Sequence, residues 1–372
     1  MALSRINANS ITDDSITVDQ IADTAVHGRR NLIINGAMQV SQRGTSFDGA
    51  EQYLCDRWRF GRQTDGYNLG WSQSTTAPDG FANSLKLDVT TADTSLNANV
   101  FALVQQRFEG QNLQMLKKGT SAAESVTVSF YVRSAKTGTY NLEMLDKDNS
   151  RHLIKAYTIN SADTWEYKTV TFEGDTTGAF DNDNARSLDL NWWLAAGSNF
   201  NSGTRPTSWQ AQDQTDRAVG QVNIFDSTSN DWYITGVQME VGEQATPFEH
   251  RSFGDELRRC QRYFAVLADG SANSVEHIGN GYGWSSSQVE VVVNWPQEMR
   301  TTPALKQSTG SSYYQWQKDG SNIQNMNSLL TYQFTKRNGL LYQVSLSNVT
   351  AGYGYRAHVN NASAYLHLDA EL

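Results

Sequence analysis

The sequence has little of what would mark a disulfide-stapled, membrane-spanning or nucleic-acid-binding protein. Two cysteines, Cys55 and Cys260, in 372 residues are too few for a disulfide scaffold. No run approaches the ~18 apolar residues of a membrane-spanning helix. The opening ten residues, MALSRINANS, lack the apolar stretch of a secretory signal. The expectation is therefore synthesis in a cytoplasm without export by the general route, and with it two reduced thiols. Charged residues make up only 19%, and the net charge is −9. A basic stripe matched to a phosphate backbone is missing, so nucleic acid is not an expected partner. Also absent are the G-x-S-x-G nucleophile elbow, the H-E-x-x-H zinc motif and the phosphate-cradling G-x-x-x-x-G-K-[ST] loop.

What is abundant points to strands. The chain has 16 Tyr, 14 Phe, 10 Trp and 28 Gly, with 5 Pro. Aromatic and β-branched residues fit a pleated, half-buried surface, and Gly, Asn and Asp fit the turns between strands. Strand signals recur every ~10–15 residues: 126–132, 140–145, 153–159, 165–172, 187–194, 221–225 and 232–241. Asn31-Leu-Ile-Ile-Asn-Gly36 reads as a strand entering an Asn-Gly turn. At least eight short strands without intervening helices predict an all-β jelly-roll sandwich over residues 31–250. Residues 252–264 carry a helical pattern within a connecting segment, 251–264. Ser252 sits at the cap, Asp255 and Glu256 in the first turn, and Leu257, Cys260 and Phe264 on one face. Residues 265–372 return to strand patterns at 289–295, 340–346, 353–359 and 364–369 and predict a second, smaller β-sandwich.

The first 30 residues are different. Ile6, Ile11, Ile16, Ile21 and Val26 recur every five positions among Asn, Ser, Thr and Asp. A step of five turns ~140° around a helix and alternates faces on a strand, so neither element alone builds a stripe from it. Short extended pieces around a shared axis would, and a segment this short needs partners to bury the stripe. Residues 1–30 are therefore expected to be an extended anchoring arm that trimerises with its own copies.

Candidates for chemistry are few. The six His are scattered, and only His358 and His367 are placed to meet on neighbouring strands. Two acidic loops, Asp146-Lys-Asp148-Asn149 and Asp181-Asn-Asp183-Asn184, offer oxygen donors at alternate positions. That pattern suits either Ca²⁺ or an Asx-rich turn. The turn is the expected reading, and no metal or other cofactor is expected. Trp192 and Trp193 should face opposite sides of one strand. Tyr282, Trp284, Tyr313, Tyr314 and Trp316 stand among Gly, Ser and Gln. Flat rings beside amides and hydroxyls suit either a sugar face or a packed interface. These five are the expected glycan-binding residues of an exposed tip.

Two groups of segments carry a resemblance. The first is Asn31-Leu-Ile-Ile-Asn-Gly-Ala-Met-Gln-Val40, with Gln42-Arg43-Gly44 and Asp56-Arg57-Trp58. The second is Ile234-Thr-Gly-Val-Gln-Met-Glu-Val-Gly242, followed by Ala245-Thr-Pro-Phe-Glu-His-Arg-Ser-Phe-Gly254 and Cys260-Gln-Arg-Tyr-Phe264. Together they resemble the opening and closing of a module found in tail-fibre and virion proteins of bacteriophages, marine ones in particular. Met299-Arg-Thr-Thr-Pro303 and Leu368-Asp-Ala-Glu-Leu372 are similar to the end of such proteins, and Ile11-Thr-Asp-Asp-Ser-Ile-Thr17 is similar to fibre-stalk repeats. The module itself resembles jelly-roll carbohydrate-binding modules. The resemblance implies a virion protein made in the host bacterium, held to other virion proteins by its N-terminal arm. It implies a non-catalytic tail-fibre or receptor-binding role on a host surface polysaccharide. A head decoration protein and a glycan depolymerase remain the alternatives. Asp56 and Arg57 beside Trp58 are expected to form a buried pair, and Pro247-Phe248 to turn the chain towards the helix.

Overall fold

The structure is a computed structural model that describes residues 30–48, 53–64, 66–270, 276–318 and 321–372. The arm residues Ile6, Ile11, Ile16, Ile21 and Val26 lie outside the described residues. The chain is all-β, and its first part is a sandwich of two antiparallel six-stranded sheets. One sheet runs β1 (Ser46–Asp48), β3 (Asn68–Ser74), β4 (Ser84–Thr91), β12 (Asp231–Val241), β6 (Val126–Ser134), β9 (Glu166–Phe172). We call it the front sheet. The back sheet runs β11 (Gln210–Ala211), β8 (Arg151–Ile159), β7 (Gly138–Asp146), β10 (Arg186–Ala196), β5 (Phe101–Glu109), β2 (Arg59–Gln63).

Alternation builds the core. Val126, Val128, Phe130 and Val132 of β6 face Leu188, Leu190, Trp192 and Leu194 of β10, and all eight are buried. Trp192 packs against Trp58 and Phe130, with ring centroids 5.4 and 5.8 Å away. Trp193 points to the opposite face, as the period of two requires. It is nevertheless fully buried, because the segment after β10 folds over it, with Phe200 at 5.7 Å.

Two expected strands are absent. Residues 221–225 form a loop ending in a 3₁₀ turn, Ile224–Asp226, whose start is capped by the Asn223 side chain accepting from the Phe225 N–H. Residues 31–36 form an irregular buried plug whose main chain is satisfied piecemeal. The Leu32 N–H donates to the Met239 carbonyl, the Ile33 N–H to Asn31 Oδ1, the Ile34 N–H to Gln106 Oε1 and the Asn35 N–H to Glu256 Oε1, at 2.6–2.9 Å. The alternation of apolar residues in this segment thus reflects burial from several sides. Gly36 is required here, since a Cβ would lie 2.1 Å from the Val237 carbonyl oxygen.

The helix starts where expected, as α2 (Phe253–Gln261), with the Ser252 side chain accepting from the Asp255 N–H, but it ends three residues early and Phe264 is the first residue of a strand, paired with Asp369; the four-residue α1 (Ser198–Asn201) precedes it in the loop after β10. Beyond α2 lie a three-stranded sheet, β13 (Phe264–Ala268), β22 (Leu366–Asp369), β16 (Ala304–Gln307), and a seven-stranded one. The latter runs β18 (Ser321–Met326), β17 (Tyr314–Lys318), β21 (Gly354–Val359), β14 (Glu276–Gly283), β15 (Val289–Asn294), β20 (Asn338–Gln343), β19 (Leu330–Tyr332). Ala265, Leu366 and Leu368 of the small sheet and Val291, Trp316 and Leu341 of the large one share a core.

The residues that carry the sequence resemblance meet at the junction of these two parts. Asp56 and Arg57 are both buried but do not pair with each other. Asp56 accepts from the Gln42 N–H at 3.0 Å and lies 3.6 Å from Arg43, whereas Arg57 pairs with Glu371. Successive side chains on a tight turn point apart, so each finds a different partner. The Arg57 guanidinium also covers the Tyr263 ring at 3.5 Å and donates to the Arg107 carbonyl at 2.6 Å. Arg43 covers the Phe264 ring at 3.5 Å. Arg262 pairs with Glu109 at 2.6 Å, and Arg300 donates to the carbonyls of Ala370, Glu371 and Asn184 at 2.8–3.0 Å. The motif residues therefore clasp one β part to the other.

This junction has a pH signature. Burial pushes the Asp56 carboxyl up to about 6, against the opposing pull of Arg43 and Gln42. Its folded value lies above its ordinary 3.8. The associated stability is therefore complete below pH ~4 and is lost as pH rises through ~6. Asp56→Asn should gain on the wild type by about 2–3 kcal/mol between pH 4 and 7. Melting curves of the two proteins that stay parallel over that range would contradict this account.

Candidate functional site

The five aromatic residues singled out from the sequence do not form one surface. Tyr282 and Trp284 are exposed, at 43% and 61%, with ring centroids 6.3 Å apart. Tyr353 stands exposed near them, its ring under the Lys318 ammonium at 4.2 Å. Tyr313 is half-buried. Tyr314 and Trp316 are fully buried and leave the candidate surface. They lie two apart on β17, so both face inward, and the Tyr314 hydroxyl is anchored on the Tyr365 carbonyl at 2.7 Å. The serines near them lie in the turn before β17, and Gln315, on the opposite face of the strand, is itself buried against His358 at 2.8 Å. His358 does not meet His367 either. It faces His277 across β14 and β21, with centroids 6.0 Å apart, while His367 stacks on Tyr365 at 4.7 Å.

The acidic loops hold no vacant cation site. Asp146 Oδ2 is 2.6 Å from Lys118 Nζ, and the same ammonium reaches Asp175 at 3.1 Å and the carbonyls of Thr177 and Gly178 at 2.8 and 2.7 Å. A lysine thus fills the oxygen cage. Asp148 accepts from the Asp181 N–H at 3.0 Å, which ties the two loops together, and Asp183 makes an Asx turn by accepting from the Ala185 N–H at 2.8 Å. Among the described residues no group of three His, Cys, Asp or Glu is placed to hold a metal ion. Cys55 and Cys260 are buried and unpaired, and burial pushes both thiols up, which leaves them unreactive.

The outer face of the back sheet is polar but closed. Glu143 accepts from Arg217 at 2.8 Å, from Asn191 at 3.0 Å and from the Trp193 indole at 3.1 Å, with His152 at 3.3 Å. Burial would raise this carboxyl, but Arg217 and His152 outweigh it and hold the group at about 2. It is therefore a fixed carboxylate, unsuited to donating a proton at neutral pH. Arg217 and the loop after β10 seal this face.

The front sheet carries an open groove of about 510 Å³ on its outer face, within the range of small-ligand sites. Its floor is aromatic. Phe81, in the turn before β4, lies 5.6 Å from Tyr131 on β6, and Tyr131 lies 5.0 Å from Tyr167 on β9. Phe248 and His250 flank Phe81 at 5.1 and 5.4 Å. Tyr131 and Tyr167 are direct cross-strand partners, so the pleat points both outward. A bulge between Thr235 and Gln238 lets Phe81 reach the sheet. Gly236 there has φ +61, and a Cβ would stand 2.7 Å from the Phe81 ring. The bulged strand takes the plug on its other side, with the Val237 N–H donating to the Gly36 carbonyl at 2.9 Å. Asp79 and His250, both exposed, put polar groups along the rim, while Ser129 is buried and the Thr246 hydroxyl donates to Glu240 at 2.6 Å. Sequence reading missed this site because its parts lie up to 169 positions apart (Phe81 to His250) and Phe81 and Phe248 sit in segments without strand periodicity. The signal that was legible is Tyr131 and Tyr167 at outward positions of strands read correctly.

No family model matches this sequence, and no curated protein matches it. Solved structures with a likeness include the enzymatically active domain of tailspike protein 4 from bacteriophage CBA120, at 12% identity and a TM-score of 0.32, over 58% of this chain. This chain spans 22% of the length of that one. A family 4 carbohydrate-binding module has 13% identity and a TM-score of 0.29, over 56% of this chain and 97% of its own. The family 11 module from Clostridium thermocellum in complex with a β-1,3-1,4-mixed-linked tetrasaccharide has 11% identity and a TM-score of 0.28, over 55% and 97%. Likenesses this distant carry neither residues nor activity across to this chain.

Proposed function

We propose that this protein binds carbohydrate through the front-sheet groove, without catalysis, as an attachment component of a bacteriophage particle. The observation that carries the binding reading is the ladder of Phe81, Tyr131 and Tyr167 on an open floor edged by the exposed Asp79 and His250. Aromatic faces stack on the C–H faces of sugars, and polar groups such as Asp79 and His250 can meet the ring hydroxyls. Asp79 is the one carboxylate among the described residues lining the groove, whereas glycoside hydrolysis ordinarily uses a pair. The virion part of the reading rests on the sequence segments that resemble phage fibre modules and on the five-residue repeat of the arm. Attachment by a trimer on a multi-copy particle tolerates a weak single site, because multivalency raises avidity by roughly 10²–10⁴.

Tyr167→Ala tests the groove. The side chain is 48% exposed, so the variant should keep the wild-type melting temperature while losing about tenfold in affinity for a bound glycan. The exposed Tyr282–Trp284 pair supports a second contact at the C-terminal part. If Trp284→Ala abolishes cell or glycan binding and Tyr167→Ala leaves it intact, the site belongs to the C-terminal sheet and the groove is a packing feature.

A further inference from the structure

We infer that the groove takes an internal stretch of an extended, uncharged glycan chain whose successive rings are turned relative to one another, and that the chain lies across the strands. This inference rests on the groove being the carbohydrate site.

Direction comes from the strand order. Phe81 precedes β4, Gly236 is in β12, Tyr131 in β6 and Tyr167 in β9, and these four strands are consecutive neighbours in the sheet. The ladder therefore runs perpendicular to the strands. Its two steps are 5.6 and 5.0 Å; the second joins direct cross-strand partners, and the first is closed by the turn at Phe81 reaching across the bulge of β12. A chain of pyranose rings laid along it presents one ring to each aromatic in turn.

Both ends of the ladder are exposed. Tyr167 stands on β9, the last strand of this sheet among the described residues, and Gly80 and His250 are exposed at the opposite end. A site for a terminal sugar needs a wall that converges on the end of the chain. Here a polymer can enter and leave.

Ring attitude sets the shape of the chain. Tyr131 is tilted 57° from Phe81 and 50° from Tyr167. Three coplanar rings would fit the flat face of a ribbon-like or crystalline polysaccharide, and this floor offers no such plane. A soluble chain whose residues rotate step by step can lay each ring against its own aromatic.

Charge sets the class. No Lys or Arg lines the groove among its described residues. Arg30 donates to the Pro247 carbonyl at 2.8 Å and lies 3.8 Å from Glu240, and Arg133, on the same face of β6 as Tyr131, is held by Asp163 at 2.8 Å and covers the Tyr233 ring. A uronate, sialate or sulfate would meet Asp79 instead of a counter-charge.

The test uses the full chain and its Tyr167→Ala variant on an array of neutral linear gluco-, manno- and galacto-oligosaccharides of one to six residues, with sialylated and sulfated chains and insoluble cellulose alongside. Glycans whose binding drops with Tyr167→Ala are the groove ligands. The expected result is a neutral series whose affinity rises about tenfold from disaccharide to trisaccharide as a further ring becomes stacked. Capping the non-reducing end should leave binding unchanged. A groove ligand that is a monosaccharide, an acidic chain or insoluble cellulose overturns the inference and leaves the binding reading standing. If every array ligand binds both proteins equally, or none binds either, the groove reading itself fails.

Discussion

Lys118→Met is expected to destabilise the sandwich by about 3–5 kcal/mol, because it leaves buried carboxylates without their cation. For a domain of this size that is a fall in melting temperature of roughly 10 °C. The Lys118 side chain is 5% exposed, and Asp146 and Asp175 are 0% and 3% exposed. Asp175 keeps Arg151 at 2.7 Å, but Asp146 keeps only the Asn149 amide and N–H. The larger part of the loss should therefore come from Asp146, and Lys118→Met combined with Asp146→Asn should recover much of it. Urea denaturation of the three proteins decides the matter. A loss below ~1 kcal/mol for the single variant would show that the ammonium is not what balances these carboxylates. Truncation to alanine should in addition make stability respond to millimolar Ca²⁺, since two carboxylates and two carbonyls then surround a hole of hard oxygen donors.

Arg57→Met is the second large effect, and it acts between the two β parts. The Arg57 side chain is 1% exposed and Glu371 is 5% exposed. Removing the guanidinium leaves Glu371 buried with Arg43 as its remaining ion pair, at 3.2 Å. It also uncovers Tyr263. The expected cost is again about 3–5 kcal/mol, but its form differs. Calorimetry should turn one cooperative transition into two, because the sandwich and the C-terminal strands keep their separate cores while losing the clasp. A single transition at the wild-type temperature would mean that Arg262–Glu109 and the Arg300 contacts hold the junction without it.

The residues that gave the sequence its resemblance, and those proposed to bind sugar, are different sets. Gln42, Arg43, Asp56, Arg57, Arg262, Tyr263, Arg300 and Glu371 are spent on the clasp. The three ladder rings, Phe81, Tyr131 and Tyr167, lie outside every resembling segment, although Gly236, Ala245, Thr246, Pro247, Phe248 and His250 from within those segments also line the groove. A segment can thus be recognisable because it builds a junction and still say nothing of the ligand.

What the sequence determined by itself was local and periodic. The strands β6, β7, β8, β9, β10 and β12 follow from alternation over six or more residues, and α2 follows from Ser252 at its cap and acids in its first turn. Period and capping are properties of neighbours along the chain, so they are written in it. Failures came where neighbours in space took over. Residues 31–36 alternate like a strand, yet their N–H groups are met by side chains from positions as distant as Glu256, which no local pattern encodes. Tyr314 and Trp316 were read as exposed from their polar neighbours, although the strand turned them inward. The acidic loop at 146–149 is the turn its composition suggests, but its Asp146 is also drawn into a cage with Asp175 and the Thr177 and Gly178 carbonyls around Lys118, 28 positions upstream. The groove is the extreme case. A bulge at Gly236, a turn at Phe81 and two strands bring its rings within 6 Å of one another, and only the order of strands in the sheet decides that these rings are adjacent.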